Sequence, residues 1–89
     1  MLTIELFSTD HCSLCEQALD LLLGMPEIAG QELRVVDIAG DDALLTKYSE
    51  QIPVLRVLDE ELAAPFTRQD ILRWLDRLVR RQQHQAEQG

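Results

Sequence analysis

Basic residues are scarce in this chain of 89 residues: eight Lys and Arg stand against sixteen Asp and Glu, for a formal charge of −8. That imbalance repels phosphate backbones and anionic bilayers over about a Debye length, so neither nucleic acid nor a membrane is expected as a partner. Aromatics are scarcer still, at 4% of the chain, so the core has to come from the Leu, Val, Ile and Ala in the 46% hydrophobic fraction. Met1-Leu2-Thr3-Ile4-Glu5 lacks a basic leading segment and reaches a charge at its fifth residue. Neither a signal peptide nor a membrane anchor is expected there, and the expected location is the cytoplasm. Repeats and inter-domain linkers are absent too, and the length suits one domain. The expected boundaries are residues 1–80 for that domain and 81–89 for a polar, disordered tail with no apolar period.

Cysteine is equally sparse. The chain has two, Cys12 and Cys15, both within residues 8–15, "STDHCSLC". In a reducing compartment such a pair is expected to be reactive or metal-binding rather than a permanent staple. Closing a loop of four residues would in any case remove little entropy from the unfolded chain.

Leu2, Ile4 and Leu6 alternate with Thr3 and Glu5, the period of a first strand, and Ser8, Thr9 and Asp10 mark the turn that ends it. Cys15, Ala18, Leu19, Leu22 and Leu23 recur along one helical face that Gly24 and Pro26 close. Cys12 therefore precedes or opens that helix, and Cys15 lies on its buried face. Residues 33–38, "LRVVDI", read as a second strand after the crossover helix, hence parallel to the first. Asp41 or Asp42 caps a short helix carrying Ala43, Leu44, Leu45 and Tyr48. It ends before Pro53, because the residue ahead of a proline is pushed out of helical geometry. Residues 54–58 and 61–66 read as a hairpin that turns at Asp59-Glu60. Thr67 and Asp70 have the spacing of a capping box, and Ile71, Trp74, Leu75, Leu78 and Val79 form one apolar stripe down a last helix.

A cysteine at a helix N-terminus faces unpaired backbone N–H groups and the positive end of the helix dipole, both of which favour thiolate over thiol. Cys12 is thus the expected nucleophile. Cys15, one turn on, can attack a mixed disulfide formed at Cys12 and release the partner reduced. A protonated His11 strengthens the thiolate, Asp10 and Glu16 oppose it, and Ser13 and Leu14 put no charge between the sulfurs. Such dithiols have reduction potentials of roughly −270 to −180 mV, and these neighbours select no value within that range. Two other readings stay open. One is a pair of small core residues. The other is a metal site, for which a single C-x-x-C supplies too few ligands, with His11 adjacent and His84 in the tail.

With "LFSTDHCSLCEQALDLL" near its start and "QIPVL" later, the chain resembles the small bacterial glutaredoxin-like proteins of the thioredoxin-fold superfamily over about residues 1–80. The resemblance implies an α/β thioredoxin/glutaredoxin-like fold: a four-stranded mixed sheet flanked by three helices, in the order β-α-β-α-β-β-α. It also implies that Pro53 is cis and faces the dithiol, with Ile52 before it offering backbone to a bound peptide or glutathione. His11, Ser13 and Leu14 beside the cysteines complete the expected substrate contacts. Thr67 and Arg68, at the N-terminus of the last helix, are the candidates to receive a carboxylate. The sequence departs from glutaredoxins where those bind glutathione: Thr9 and Asp10 stand in place of a basic stretch, Ile52 in place of a polar residue, and residues 64–67 in place of a Gly-Gly segment.

The leading expectation is a thiol-disulfide oxidoreductase that reduces protein or glutathione mixed disulfides, with no bound cofactor. Glutathione, another thiol pool or a reductase would restore the dithiol. The alternatives are a non-catalytic redox-sensing or partner-binding module, for which exposed Leu14 and Ile52 argue, and a metal or iron–sulfur carrier that pools Cys12 from two copies. A monomer is the expected state otherwise.

Overall fold

The computed structural model describes the backbone of residues 2–88 and the side chains of residues 2–82. In chain order the elements are β1 (Thr3–Ser8), α1 (Ser13–Leu23), β2 (Glu32–Asp37), α2 (Asp42–Tyr48), β3 (Val54–Val57), β4 (Glu60–Ala63) and α3 (Arg68–Gln88). Short 3₁₀ turns follow α1 at Pro26–Ile28 and β2 at Ile38–Gly40. The strands form one sheet in the order β2-β1-β3-β4. β1 and β2 are parallel, as a crossover through α1 requires, while β3 runs antiparallel to β1 and β4 antiparallel to β3.

Strand alternation divides the core between the two faces of the sheet. Ile4 and Leu6 of β1 and Leu55 and Val57 of β3 point to one side, where they meet Ala18 and Leu22 of α1 and Ile71, Trp74 and Leu78 of α3. Phe7 and Val54 point to the other side, against Ile38 and Tyr48, with Leu44 and Leu45 of α2 packed over them. The Phe7 and Tyr48 rings stack with centroids 4.5 Å apart, and the Tyr48 hydroxyl donates to Glu61 of β4. On that face Arg56 lies 5.2 Å from the Phe7 ring and donates from Nε to Glu5 at 3.0 Å.

Several element ends differ from the sequence expectation, each for a local reason. β2 stops at Asp37, whose side chain accepts the Ala39 N–H at 2.9 Å and turns Ile38 into a 3₁₀ segment. β4 ends at Ala63 rather than at residue 66, because Pro65 has no N–H to give to a strand ladder. The hairpin turns at Leu58-Asp59, one residue early, which leaves Leu58 at a φ of 58°. An L-residue there carries about 1–2 kcal/mol of strain, against about 0.5–1 kcal/mol of extra chain entropy for glycine. Leu58 is exposed and packs little, so Leu58→Gly is expected to stabilise the fold by on the order of 0.5 kcal/mol in a denaturant titration. A lower unfolding midpoint would contradict this.

At the start of α3, the Thr67 N–H donates to Asp70 Oδ2 at 2.8 Å and the Asp70 N–H donates to Thr67 Oγ1 at 3.2 Å, the reciprocal pair that the spacing predicts. The backbone N–H of Thr67, and then its hydroxyl, hold the Asp70 carboxyl below the usual carboxylate range. A depressed folded-state pKa contributes stability above the unfolded value, near 3.9, that is lost as pH falls through the folded value. Thr67→Ala is expected to cost about 1 kcal/mol. Asp70→Asn is expected to flatten stability against pH below about 4, both read by thermal melts across pH. A variant as acid-sensitive as the parent would contradict it.

α3 continues to Gln88, through positions 81–88 where the apolar stripe has ended. Gln, Ala and Glu are good helix formers, so the helix continues past the apolar stripe. The side chain of His84 lies outside the described residues.

Candidate functional site

β1 delivers the chain at Ser8 to the end of the sheet where β2 also ends, with Ser8 paired to Asp37. After Thr9, a tight turn at Asp10 and His11 reverses it. His11 adopts a φ of 59°, a left-handed conformation uncommon for a side-chain-bearing residue. Cys12 then takes extended geometry, with φ −110° and ψ 102°, and caps α1. Its carbonyl accepts the Glu16 N–H at 3.0 Å, and its Sγ accepts the Cys15 N–H at 3.1 Å.

The two sulfurs are joined as a disulfide across a Cα separation of 5.2 Å, within the ordinary span for such a bond. Their environments differ. Cys12 is half-buried at the rim, whereas Cys15 is 3% exposed and faces the core with Ala18 and Leu22. Once the pair is reduced, the N–H aimed at Cys12 Sγ and the helix terminus behind it stabilise negative charge at that sulfur. Cys12 is the sulfur that an outside molecule can reach.

Ser13 and Leu14 open α1 and are exposed, Leu14 by 58%. Leu14 shares an apolar groove of about 280 Å³ with Pro53, Pro65 and Phe66. A second hollow beside it, lined in part by Leu14, Ile52 and Glu50, continues the groove toward α2. Pro53 is buried, its bond to Ile52 is cis, and its carbonyl accepts the Ala64 N–H at 3.1 Å. That bond carries the β4–α3 loop back to the cysteine end of the sheet. The two hollows thus bring Ile52 and Pro53 to Leu14, which lies between Cys12 and Cys15 in the chain beside Ser13 at the start of α1, with exposed His11 in the preceding turn.

Thr67 and Arg68 are engaged elsewhere. Thr67 exchanges hydrogen bonds with Asp70, and the Arg68 guanidinium pairs with Glu27. Glu27 lies beyond the C-terminal end of α1, the end opposite the cysteines. Pro65 and Phe66, which the resemblance places where glutaredoxins carry a Gly-Gly segment, line the groove, and so does Glu50, which no motif marks. The apolar run "AAPF" that holds Pro65 and Phe66, between a strand and a helix cap, does not itself say which helix it will face. Among the described residues, no group of three or more His, Cys, Asp and Glu side chains is placed to hold a metal ion, and no helix is long and apolar enough to cross a membrane.

Residues 3–76 match the family model of the glutaredoxin-like domain (DUF836). Among solved structures, the chain is similar to a structural-genomics target protein from X. campestris, at 34% identity and a TM-score of 0.72, over 82% of this chain and 95% of that one. It is also similar to a protein of Nitrosomonas europaea solved by NMR, at 27% identity and a TM-score of 0.66, over 80% of this chain and 86% of the other. Thioredoxin 1 of Thermosipho africanus shares the fold at 20% identity and a TM-score of 0.68, over 91% of this chain and 98% of its own. No curated protein matches the chain. A match over most of the length, a thioredoxin-like α/β fold and a close cysteine pair capping the first helix agree with one another: this chain belongs to the glutaredoxin-like domain family and carries a redox-type thiol pair, Cys12 and Cys15.

Proposed function

We propose that the protein is a thiol-disulfide oxidoreductase in which Cys12 is the nucleophile and Cys15 the resolving thiol. The observation that carries this reading is the asymmetry of the pair: an accessible Cys12 sulfur receiving a backbone N–H, and a buried Cys15 one turn behind it. The Cys12 thiolate attacks a disulfide of the partner. A bond forms from Cys12 Sγ to one partner sulfur, and the other partner sulfur leaves as a thiolate that takes a proton from solvent. Cys15 then loses its proton and attacks Cys12 Sγ. The Cys12–Cys15 disulfide forms and the second partner sulfur is released, so two electrons have passed from the dithiol to the partner. Glutathione, another thiol or a reductase returns the pair to the dithiol, as a reducing compartment such as the cytoplasm would permit. Cys12→Ser and Cys15→Ser variants, assayed for disulfide reduction and for trapped adducts, test the two roles.

The exposed Leu14 and the groove beside it also suit a second reading, a redox-sensing module that binds a partner without turning over disulfides. Affinity for a captured partner that changes with the oxidation of Cys12 and Cys15, in a protein that reduces no substrate disulfide, would favour that reading.

A further inference from the structure

We propose that the groove beside the dithiol takes an extended segment of a basic protein, with an apolar residue seated between Leu14, Pro53 and Phe66 and lysine or arginine residues flanking the disulfide to be reduced. This rests on the exchange chemistry proposed above and names its substrate class. The groove floor is apolar, with Leu14 and Phe66 against two prolines. Its surroundings are acidic. Asp10 and Glu16 lie two residues before and four after Cys12, and Glu50 lines the groove itself. On the other side of β1 from the groove, Asp37 ends β2 opposite Ser8 and Asp41 and Asp42 follow it, so negative charge also stands on the β2 flank of the dithiol, with Asp37 and Asp41 each accepting a backbone N–H. All six carboxylates are exposed, and none takes part in an ion pair among the described residues.

Among the described residues, none of the cations lines the groove; Lys47, on α2 three residues before Glu50, is paired with Glu61. Arg34, Lys47, Arg56, Arg68, Arg80 and Arg81 are each paired with a carboxylate. Arg81 reaches Glu60, at the hairpin turn that ends β3, which places the C-terminal half of α3 at the end of the sheet away from Pro53. Arg73 and Arg77 lie along α3 between Arg68 and Arg81, and neither lines the groove. A disulfide approaching Cys12 therefore meets uncompensated negative charge, which draws in a cationic partner and repels an anionic one. Glutathione disulfide carries net negative charge and fits this rim poorly. A second copy of this chain, at −8, fits it no better.

The test uses the reduced full chain and two synthetic peptides with the same internal disulfide and the same neighbouring apolar residue, one flanked by lysines and one by glutamates, with glutathione disulfide alongside. Each rate of Cys12–Cys15 oxidation, read by alkylation quench and mass, is divided by the rate of the same disulfide with dithiothreitol, which removes intrinsic reactivity. At low salt the lysine peptide is expected to react on the order of tenfold faster than the other two, and the ratio is expected to shrink toward one near 1 M salt, where the Debye length is about 3 Å. Glu50→Gln with Asp10→Asn lowers the ratio, and Leu14→Ala slows both peptides without touching the core. Equal normalised rates at low salt, or a faster glutathione disulfide, overturn the proposal while the exchange chemistry stands. A concentration-dependent dimer abolished by Leu14→Asp assigns the groove to a second copy and overturns it too. Failure of every disulfide to oxidise the pair overturns this proposal together with the function it rests on.

Discussion

Cys12→Ser is expected to lower disulfide reduction by on the order of a thousandfold or more, to the background of uncatalysed exchange, while the protein keeps its fold. A serine hydroxyl at the head of α1 receives the same N–H from residue 15 and still caps the helix, but it cannot form a disulfide with the substrate. Cys15→Ser is expected to behave differently. The N–H that supports the Cys12 sulfur belongs to the backbone of residue 15 and survives the substitution, so the first attack proceeds. Without the buried second sulfur, the mixed disulfide at Cys12 has nothing nearby to resolve it and accumulates as an adduct visible by mass. Equal residual activity in the two variants would contradict the assignment of roles.

Leu55→Ala is expected to cost about 2–5 kcal/mol, the range for emptying a fully buried leucine site. Leu55 is 0% exposed, sits on the central strand β3 and pairs in register with Leu6 of β1 and Leu62 of β4. A domain of this size has about 5–13 kcal/mol to lose, so the substitution is expected to lower Tm by roughly 10 °C or more. The effect also reaches the site, because β3 is the strand that holds Pro53 against the groove. A change of less than about 1 kcal/mol in thermal or denaturant unfolding would mean that the sheet does not share the core around β3 as described.

Most of what places the dithiol was legible in the sequence because it is local. The spacing of Cys15, Ala18 and Leu22 defines one face of α1, and the turn residues before Cys12 leave it at the cap. Thr67 and Asp70 likewise announce their mutual bonds three residues apart. What escaped depends on partners distant in the chain. Nothing near Arg68 says that Glu27, forty-one positions earlier, will hold its guanidinium and draw it away from the cysteines. The approach of Phe66 and Pro65 to Leu14 follows from β4 returning antiparallel beside β3, a pairing that brings Ala63 alongside Val54. Strand ends moved by a residue or more where a side-chain cap at Asp37, a proline at position 65 or an unexpected turn at Leu58 took over from hydrophobic alternation.

The central claim, that Cys12 and Cys15 cycle between dithiol and disulfide as an exchange pair, is tested most directly by equilibrating the protein in glutathione buffers spanning roughly −300 to −150 mV, quenching with a thiol-alkylating reagent and reading the mass of each species. The account predicts a reversible two-electron transition inside that window, with the disulfide mapped to Cys12 and Cys15. A pair that stays reduced throughout, or oxidises only irreversibly, would contradict it.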